Sequence, residues 1–272
     1  MQNKYVGDVG DFGKYGLLRA LCGADQHGAE LRLGVVWYLV PDEKGGDGGH
    51  TAYLTRPEKR GDYHPCDEKL YDALAAIVDP KGRGRKVASI RERGILPRGT
   101  AFHERELTFN AMPAWGSATR DARLEHRKDW LRGALEATSS CGVVFTDPDN
   151  GLEVKSCRCY NKRGPKYVFF DELAPFVDRR QSLIIYQHID HSRPAEDQTR
   201  RRLSQLEDRL TGCATPFGLL YHRGTARAFL VVPSKDHNDT LLQRARRFLE
   251  GSWSALGHFD SDLIWSRSSP IR

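Results

Sequence analysis

Three short runs of apolar, largely β-branched residues stop abruptly in polar ones, and these transitions constrain the fold more than any other feature. Residues 31–40 (LRLGVVWYLV), 142–145 (GVVF) and 182–186 (SLIIY) read as buried strands. The first opens into a glycine-rich loop carrying Asp42, Glu43, Asp47 and His50. The second runs straight into Asp147, Pro148, Asp149, Asn150 and Gly151, and the third into Gln187, His188, Ile189, Asp190 and His191. Open α/β sheets bind their ligands beyond the carboxyl ends of the strands. If the three strands are parallel neighbours, their polar ends converge on one crevice.

The middle transition is the most specific. Pro148 has no N–H to donate to a ladder, and Asn-Gly favours positive φ, so the strand must stop there. Two carboxylates, an amide and a flexible glycine are delivered at one strand end. An ordinary tight turn uses the same residue types, so the motif gains meaning only from its neighbours. If Asp147 still belongs to the strand, side-chain alternation points Asp147 and Asp149 the same way.

Elsewhere helices alternate with these strands. The N-terminal segment carries Asp8, Asp11 and glycines at 7, 10, 13 and 16. Asp11 is the expected N-cap of a helix running through Lys14, Tyr15 and Leu21. Gly13 and Gly16 each cost such a helix about 1 kcal/mol against alanine, so another element or a ligand is expected to approach closely. A helix N-terminus beside Lys4 and Lys14 is also a natural phosphate site. Helices are further expected over 67–78, 118–137, 194–210 and 241–248, with a hairpin formed by 217–222 and 226–232. No internal repeat or long linker interrupts the pattern. It describes a single α/β domain over 1–272, three-layered, with a mixed, largely parallel sheet and a C-terminal hairpin plus helix.

Composition narrows the partners. The 272 residues are 39% hydrophobic and 29% charged, and no apolar run approaches the roughly 20 residues that cross a bilayer. The first residues lack the apolar core of a signal peptide, so a cytoplasmic protein without a membrane partner is expected. Six scattered cysteines read as reduced thiols, and Cys157-x-Cys159 has no second pair at zinc-site spacing. A net charge of +6 with abundant arginine favours a polyanionic partner. The basic loops 81–86 and 157–166 supply Arg83, Arg85, Lys86, Lys162 and Arg163 for a phosphate backbone, and Tyr160 for base stacking.

Three chemistries compete for the strand ends. An amino-methyltransferase also ends a strand in a D/N-P-P-Y/F motif, but it needs a glycine-rich cofactor loop that this chain lacks. A Mg-dependent nuclease of the PD-(D/E)xK type would use Asp149, Glu153 and Lys155, with a short spacing between the halves. A DNA glycosylase flips a nucleotide into a pocket, positions water with a carboxylate and assists the departing base with a histidine, using no cofactor. Pro41–Glu43 and His188–Ser192 loosely match the layout of uracil-glycosylase-like enzymes.

Asn3 to Asp8, Asp11 to Tyr15, the strand reaching Pro41-Asp42, Phe145 to Glu153 and Ile185 to His188 resemble a widespread bacterial family across nearly the whole length. The resemblance extends to phage-defence DNA glycosylases that excise α-glucosylated hydroxymethylcytosine. It implies antiviral defence, double-stranded modified phage DNA as partner and an abasic site as product. Strand-end placement, rather than a carried-over motif, nominates the site. Asp147, Asp149, Asn150 and His188 are the catalytic candidates. Asp8, Asp11, Lys14, Tyr15, Asp42, Gln187 and His191 are candidates for substrate binding. A non-enzymatic nucleic-acid-binding protein is the remaining alternative.

Overall fold

The computed structural model describes residues 1–23, 31–78, 84–112 and 117–266. Its organising feature is a sheet in which the three apolar runs lie side by side. The strands are β1 (Leu33–Val36), β2 (Ala101–His103), β3 (Val143–Thr146), β4 (Gly151–Leu152), β5 (Tyr167–Val168), β6 (Ser182–His188), β7 (Phe217–Tyr221), β8 (Arg227–Val232) and β9 (Ile264–Trp265). Seven form one sheet in the order β2-β1-β3-β6-β8-β7-β9, and β4 and β5 pair separately. β2, β1, β3 and β6 are mutually parallel, whereas β8, β7 and β9 add antiparallel at the other edge. The expected parallel neighbourhood is therefore present, with β3 in the middle.

Alternation along these strands feeds two cores. Val143 and Phe145 of β3, Ile184 of β6 and Phe229 and Val231 of β8 enter one cluster, while Val144, Ile185, Leu230 and Val232 enter the other. Both sheet faces are apolar, so helices must cover both. One face carries α1 (Val9–Cys22) and, after the short α2 (Ala52–Thr55) and α3 (Arg60–Tyr63), α4 (Glu68–Ala75). α5 (Val87–Glu92) contributes Val87 and Ile90 to the same cluster. The opposite face is covered by α6 (Ser117–Ala137), α7 (Phe170–Asp178) and α8 (Ala195–Arg209), through Trp130, Leu173 and Leu203 among others. α9 (Asn238–Glu250) and α10 (Ser252–Ala255) return to the α1 face. This is a three-layer α/β architecture with a mixed sheet, closed by the expected hairpin and helix. None of its helices is long and apolar enough to cross a membrane, among the described residues.

Two expectations shift at element boundaries. The first strand is shorter than 31–40, because Tyr38 adopts φ 44° and turns the chain out of the ladder. The first helix begins earlier than its expected cap. Asp8, not Asp11, is the N-cap and accepts from the Gly10 N–H at 3.0 Å. Asp11 sits one turn in and accepts from the Gly7 N–H at 3.1 Å, so two acids satisfy the helix start in place of one. The close approach expected at the helix glycines is made by other elements. A Cβ at Gly13 would lie 2.3 Å from the Tyr221 ring, and one at Gly16 2.2 Å from Trp253.

Candidate functional site

The parallel strand ends open into one polar crevice of about 390 Å³, within the size range of small-molecule pockets. β3 delivers Asp147 and Asp149, β6 delivers Tyr186 and His188, β8 delivers Arg227, and α1 lies across the opening with Asp8, Asp11 and Lys14. Asp147 extends the ladder, its N–H donating to the Val36 carbonyl at 3.0 Å. Its side chain therefore keeps the parity of Val143 and Phe145 and faces α1. Pro148 then carries the chain outward so that Asp149 also lines the crevice. Both aspartates face the same space.

Their surroundings differ. Lys14 is buried and its Nζ bridges Asp11 Oδ1 at 2.8 Å and Asp147 Oδ2 at 2.7 Å. Burial alone would discharge this ammonium, but Asp11 and Asp147 outweigh it and hold Lys14 protonated. Burial lifts the Asp147 carboxyl above the ordinary carboxylate range, with Lys14 and the Met1 amine pulling the other way. Asp149 is also buried, which would raise it. The Met1 ammonium at 2.6 Å, Gln2 Nε2 at 2.7 Å and Lys166 Nζ at 3.7 Å overcome that and hold Asp149 below the ordinary range. The Met1 ammonium also donates to the carbonyls of Tyr38 and Asp147 at 3.1 and 3.0 Å. Tyr38, buried at its positive-φ kink, thus helps anchor the cation that keeps Asp149 ionised. Two carboxylates at one strand end are pushed in opposite directions, a pattern found where acids take separate roles.

His188 and Arg227 are direct cross-strand partners. His188 is exposed at the crevice mouth, where partial desolvation and then the neighbouring guanidinium lower its pKa, favouring the neutral imidazole. Arg227 reaches across to α1, where its guanidinium occupies the space a Cβ at Gly10 would need and approaches Asp8 Oδ1 at 4.0 Å. Asn150 lines the crevice and also an adjoining cleft of about 190 Å³, and His188 shares both positions. Together they form a saddle between the two spaces.

Several expected site residues serve the scaffold. Tyr15 is fully buried behind the crevice and donates to Asp11 Oδ2 at 3.0 Å. Asp8 has its carboxylate engaged by the Gly10 and His50 N–H groups, although it lines the wall. Asp42 is exposed and accepts from the Lys4 N–H at 3.1 Å, outside the crevice. Its neighbour Glu43 lines the crevice instead and pairs with Lys166 at 2.5 Å. His191 is exposed and also lies outside it. The expected phosphate site at the start of α1 is occupied by protein groups. Asp8 takes the Gly10 N–H, Lys14 is committed to two carboxylates, and Lys4 Nζ donates to the Glu43 carbonyl at 3.0 Å.

Gln187 changes role. Its Oε1 accepts from the Leu152 N–H at 2.9 Å, and its Nε2 donates to the carbonyls of His188 at 2.8 Å and Asn150 at 3.3 Å. Alternation on β6 turns it away from the crevice shared by Tyr186 and His188. Gln187 clamps the Asp147–Gly151 turn and lines the adjoining cleft in place of the crevice. Gly151 makes the clamp possible: its φ is 95°, and a Cβ there would lie 2.5 Å from Gln187 Oε1. Gly151→Ala is expected to cost about 1–3 kcal/mol from backbone strain and the displaced amide. Thermal unfolding checks this, and a variant as stable as the parent would remove Gln187 as the clamp.

The basic candidates divide similarly. Arg83 lies outside the described residues. Arg85 donates from Nε to the Val6 carbonyl at 2.7 Å and from Nη2 to the Gly48 carbonyl at 2.5 Å, tying two loops together. Lys86 is exposed at the start of α5. Lys162 and Arg163 are exposed and line a separate groove beside α6. The ring of Tyr160 is already covered by the Arg120 guanidinium at 5.2 Å.

The nuclease set does not converge. Asp149 faces Met1, Gln2 and Lys166, whereas Glu153 has Asp171, Arg209, Glu172 and Arg202 as its charged neighbours. Lys155 is exposed and outside the crevice. Among the described residues, no three His, Cys, Asp or Glu side chains are placed to hold a metal ion together.

Met1, Gln2, Glu43, Lys166, Tyr186 and Arg227 belong to the site although no motif marks most of them. Arg227 alone carries a signal, being a charged residue at the head of an otherwise apolar strand, RAFLVV. No protein-family model matches the sequence, and no curated protein matches it significantly.

Proposed function

We propose that the chain is a DNA glycosylase that excises a modified base from phage DNA and leaves an abasic site. The observation that carries this reading is the charge balance of the crevice. Six carboxylates line it, from Asp8, Asp11, Glu43, Asp47, Asp147 and Asp149. Four cationic groups answer them: the Met1 amine, Lys14, Lys166 and Arg227. The excess of negative charge in a partly enclosed space favours a reaction whose transition state gains positive charge. Breaking an N-glycosidic bond is such a reaction, because the sugar C1′ becomes oxocarbenium-like as the base departs.

In this scheme a nucleotide is extruded into the crevice. Asp149, kept ionised, stabilises the developing charge and orients a water molecule. The C1′–N bond breaks with its electron pair leaving on the base, and the water oxygen bonds to C1′ as its proton passes to solvent, from which the departing base is protonated. Neutral His188, at the saddle, donates a hydrogen bond to the departing base, while the Asn150 amide reads its edge. Lys14 is held charged by its two carboxylates, so it orders the acids and does not act as an amine nucleophile. The resemblance to phage-defence glycosylases supports α-glucosylated hydroxymethylcytosine as the base.

Abasic-site formation tests this against strand cleavage. Glucosylated phage DNA incubated with the protein in EDTA is expected to gain alkali-labile sites while remaining intact before alkali. Direct breaks that vanish in EDTA and return with Mg²⁺ would establish a nuclease.

A further inference from the structure

The crevice repels what a nucleic acid chiefly consists of. A phosphate backbone is excluded from a space with excess carboxylate, so only the uncharged part of an extruded nucleotide can enter, and the backbone needs a cationic seat close by. The structure provides one. Beside α6, residues of the 157–166 loop enclose an open groove of about 680 Å³ with Arg123, Lys162 and Arg163 in its wall and no carboxylate. One wall is braced: Arg123 donates to the Tyr160 carbonyl at 3.1 Å, and Arg120 covers the Tyr160 ring. Lys162 and Arg163 stand exposed on the other.

This groove neighbours the crevice through an intermediate cleft. Arg163 and Tyr167 line both the groove and the small intermediate cleft, and Asn150 and His188 line both that cleft and the crevice. Arg202 floors the intermediate cleft, fixed by the Glu153 carbonyl at 3.1 Å. Cationic groove, mixed cleft and acidic crevice therefore follow one another along one edge of the molecule. We propose that the groove beside α6 seats the phosphate backbone of a nucleic-acid strand, which enters the crevice across the Asn150–His188 saddle. This rests on the reading that the substrate is nucleic acid, and it adds the side from which the strand arrives.

The test is the salt dependence of oligonucleotide binding. Fluorescence anisotropy with a labelled single strand and the matching duplex, across a KCl series, compares the parent with Lys162→Ala/Arg163→Ala. Both side chains are exposed, so the fold is retained, and Arg246→Ala on α9, against the opposite sheet face, is the control. Each lost phosphate contact flattens the slope of log K against log salt by about 0.7 for single strands and about 0.9 for duplex. The double variant is expected to lose about 1.4 and about 1.8, and the control nothing. An unchanged slope in the double variant, or no binding by the parent, overturns the proposal. So does displacement of the oligonucleotide by a polyglutamate peptide of equal charge, which would make the groove a seat for an acidic protein. A flattened slope without base release from glucosylated DNA would keep the groove assignment and reject the glycosylase. Base release with an unchanged slope would do the reverse.

Discussion

Lys14→Met is expected to destabilise the protein by about 3–5 kcal/mol, the cost of stripping one partner from a buried ion pair. Lys14 is flanked by Asp11 and Asp147, all three nearly inaccessible to water. Removing the ammonium leaves two carboxylates facing each other in a medium that solvates neither. Asp11 keeps the Tyr15 hydroxyl and the Gly7 N–H, at 3.0 and 3.1 Å, so the burden falls on Asp147, which must take up a proton. Neutralising it in advance is therefore expected to recover part of the loss, with Lys14→Met/Asp147→Asn more stable than Lys14→Met alone. Urea unfolding of the three proteins checks both statements. A Lys14→Met unfolding free energy within about 1 kcal/mol of the parent's would mean that the network is not the keystone of the strand-end cluster.

Asp149→Asn is expected to slow base release by about 10²–10⁴-fold, the range for losing a positioned catalytic carboxylate. At roughly 1.4 kcal/mol per tenfold, that is about 3–5 kcal/mol of barrier. The pH dependence has a definite sign. The folded protein holds Asp149 below its unfolded value of about 3.9. Its ionisation therefore stabilises the fold above that pH, and the contribution is lost as the pH falls through the lower folded value. The parent and Asp149→Asn should differ in unfolding free energy at pH 6, and the gap should begin to close only once the pH drops below about 3.9. Base release by the parent should show no acid limb attributable to Asp149 between pH 7 and 5. A gap that widens on acidification would contradict the Met1–Asp149 pairing.

The sheet was legible because it is encoded locally. Runs such as GVVF and SLIIY can be little other than buried strands, and their polar ends stood out against them. Parallel neighbourhood followed from alternation with helices, and it placed Asp147, Asp149, Asn150 and His188 around one crevice. The departures are equally physical. Gln187 adjoins His188 in the sequence, but period-2 alternation turns it from the crevice to the neighbouring cleft, where its amide holds the turn. Nothing in the loop sequence says whether Asp42 or Glu43 turns inward, and it is Glu43 that lines the crevice. Met1 and Gln2 carry no local pattern at all. Their role depends on Tyr38 turning the first strand outward, a conformation rare for a bulky residue. A basic loop suggests phosphate contacts, yet the Arg85 guanidinium binds backbone carbonyls, which satisfy its N–H groups as phosphates would.

The roles of Asp147 and Asp149 also emerge only in three dimensions. Two aspartates one residue apart are chemically identical in the sequence. Lys14 and Asp11 surround one, and the Met1 ammonium, Gln2 and Lys166 surround the other. Burial raises Asp147 against the pull of Lys14, 133 residues away in the chain, whereas the Met1 amine, Gln2 and the nearer Lys166 overcome burial at Asp149.

Free base in solution is the most direct evidence for the central claim. Glucosylated and unmodified phage DNA, each incubated in EDTA with the parent or with Asp149→Asn, can be filtered and assayed by mass spectrometry for released base. The expected result is α-glucosyl-hydroxymethylcytosine released by the parent from the modified DNA alone, with release by Asp149→Asn at least a hundredfold slower. Equal release by the two proteins would remove Asp149 from the mechanism, and no released base from either DNA would contradict the glycosylase reading itself.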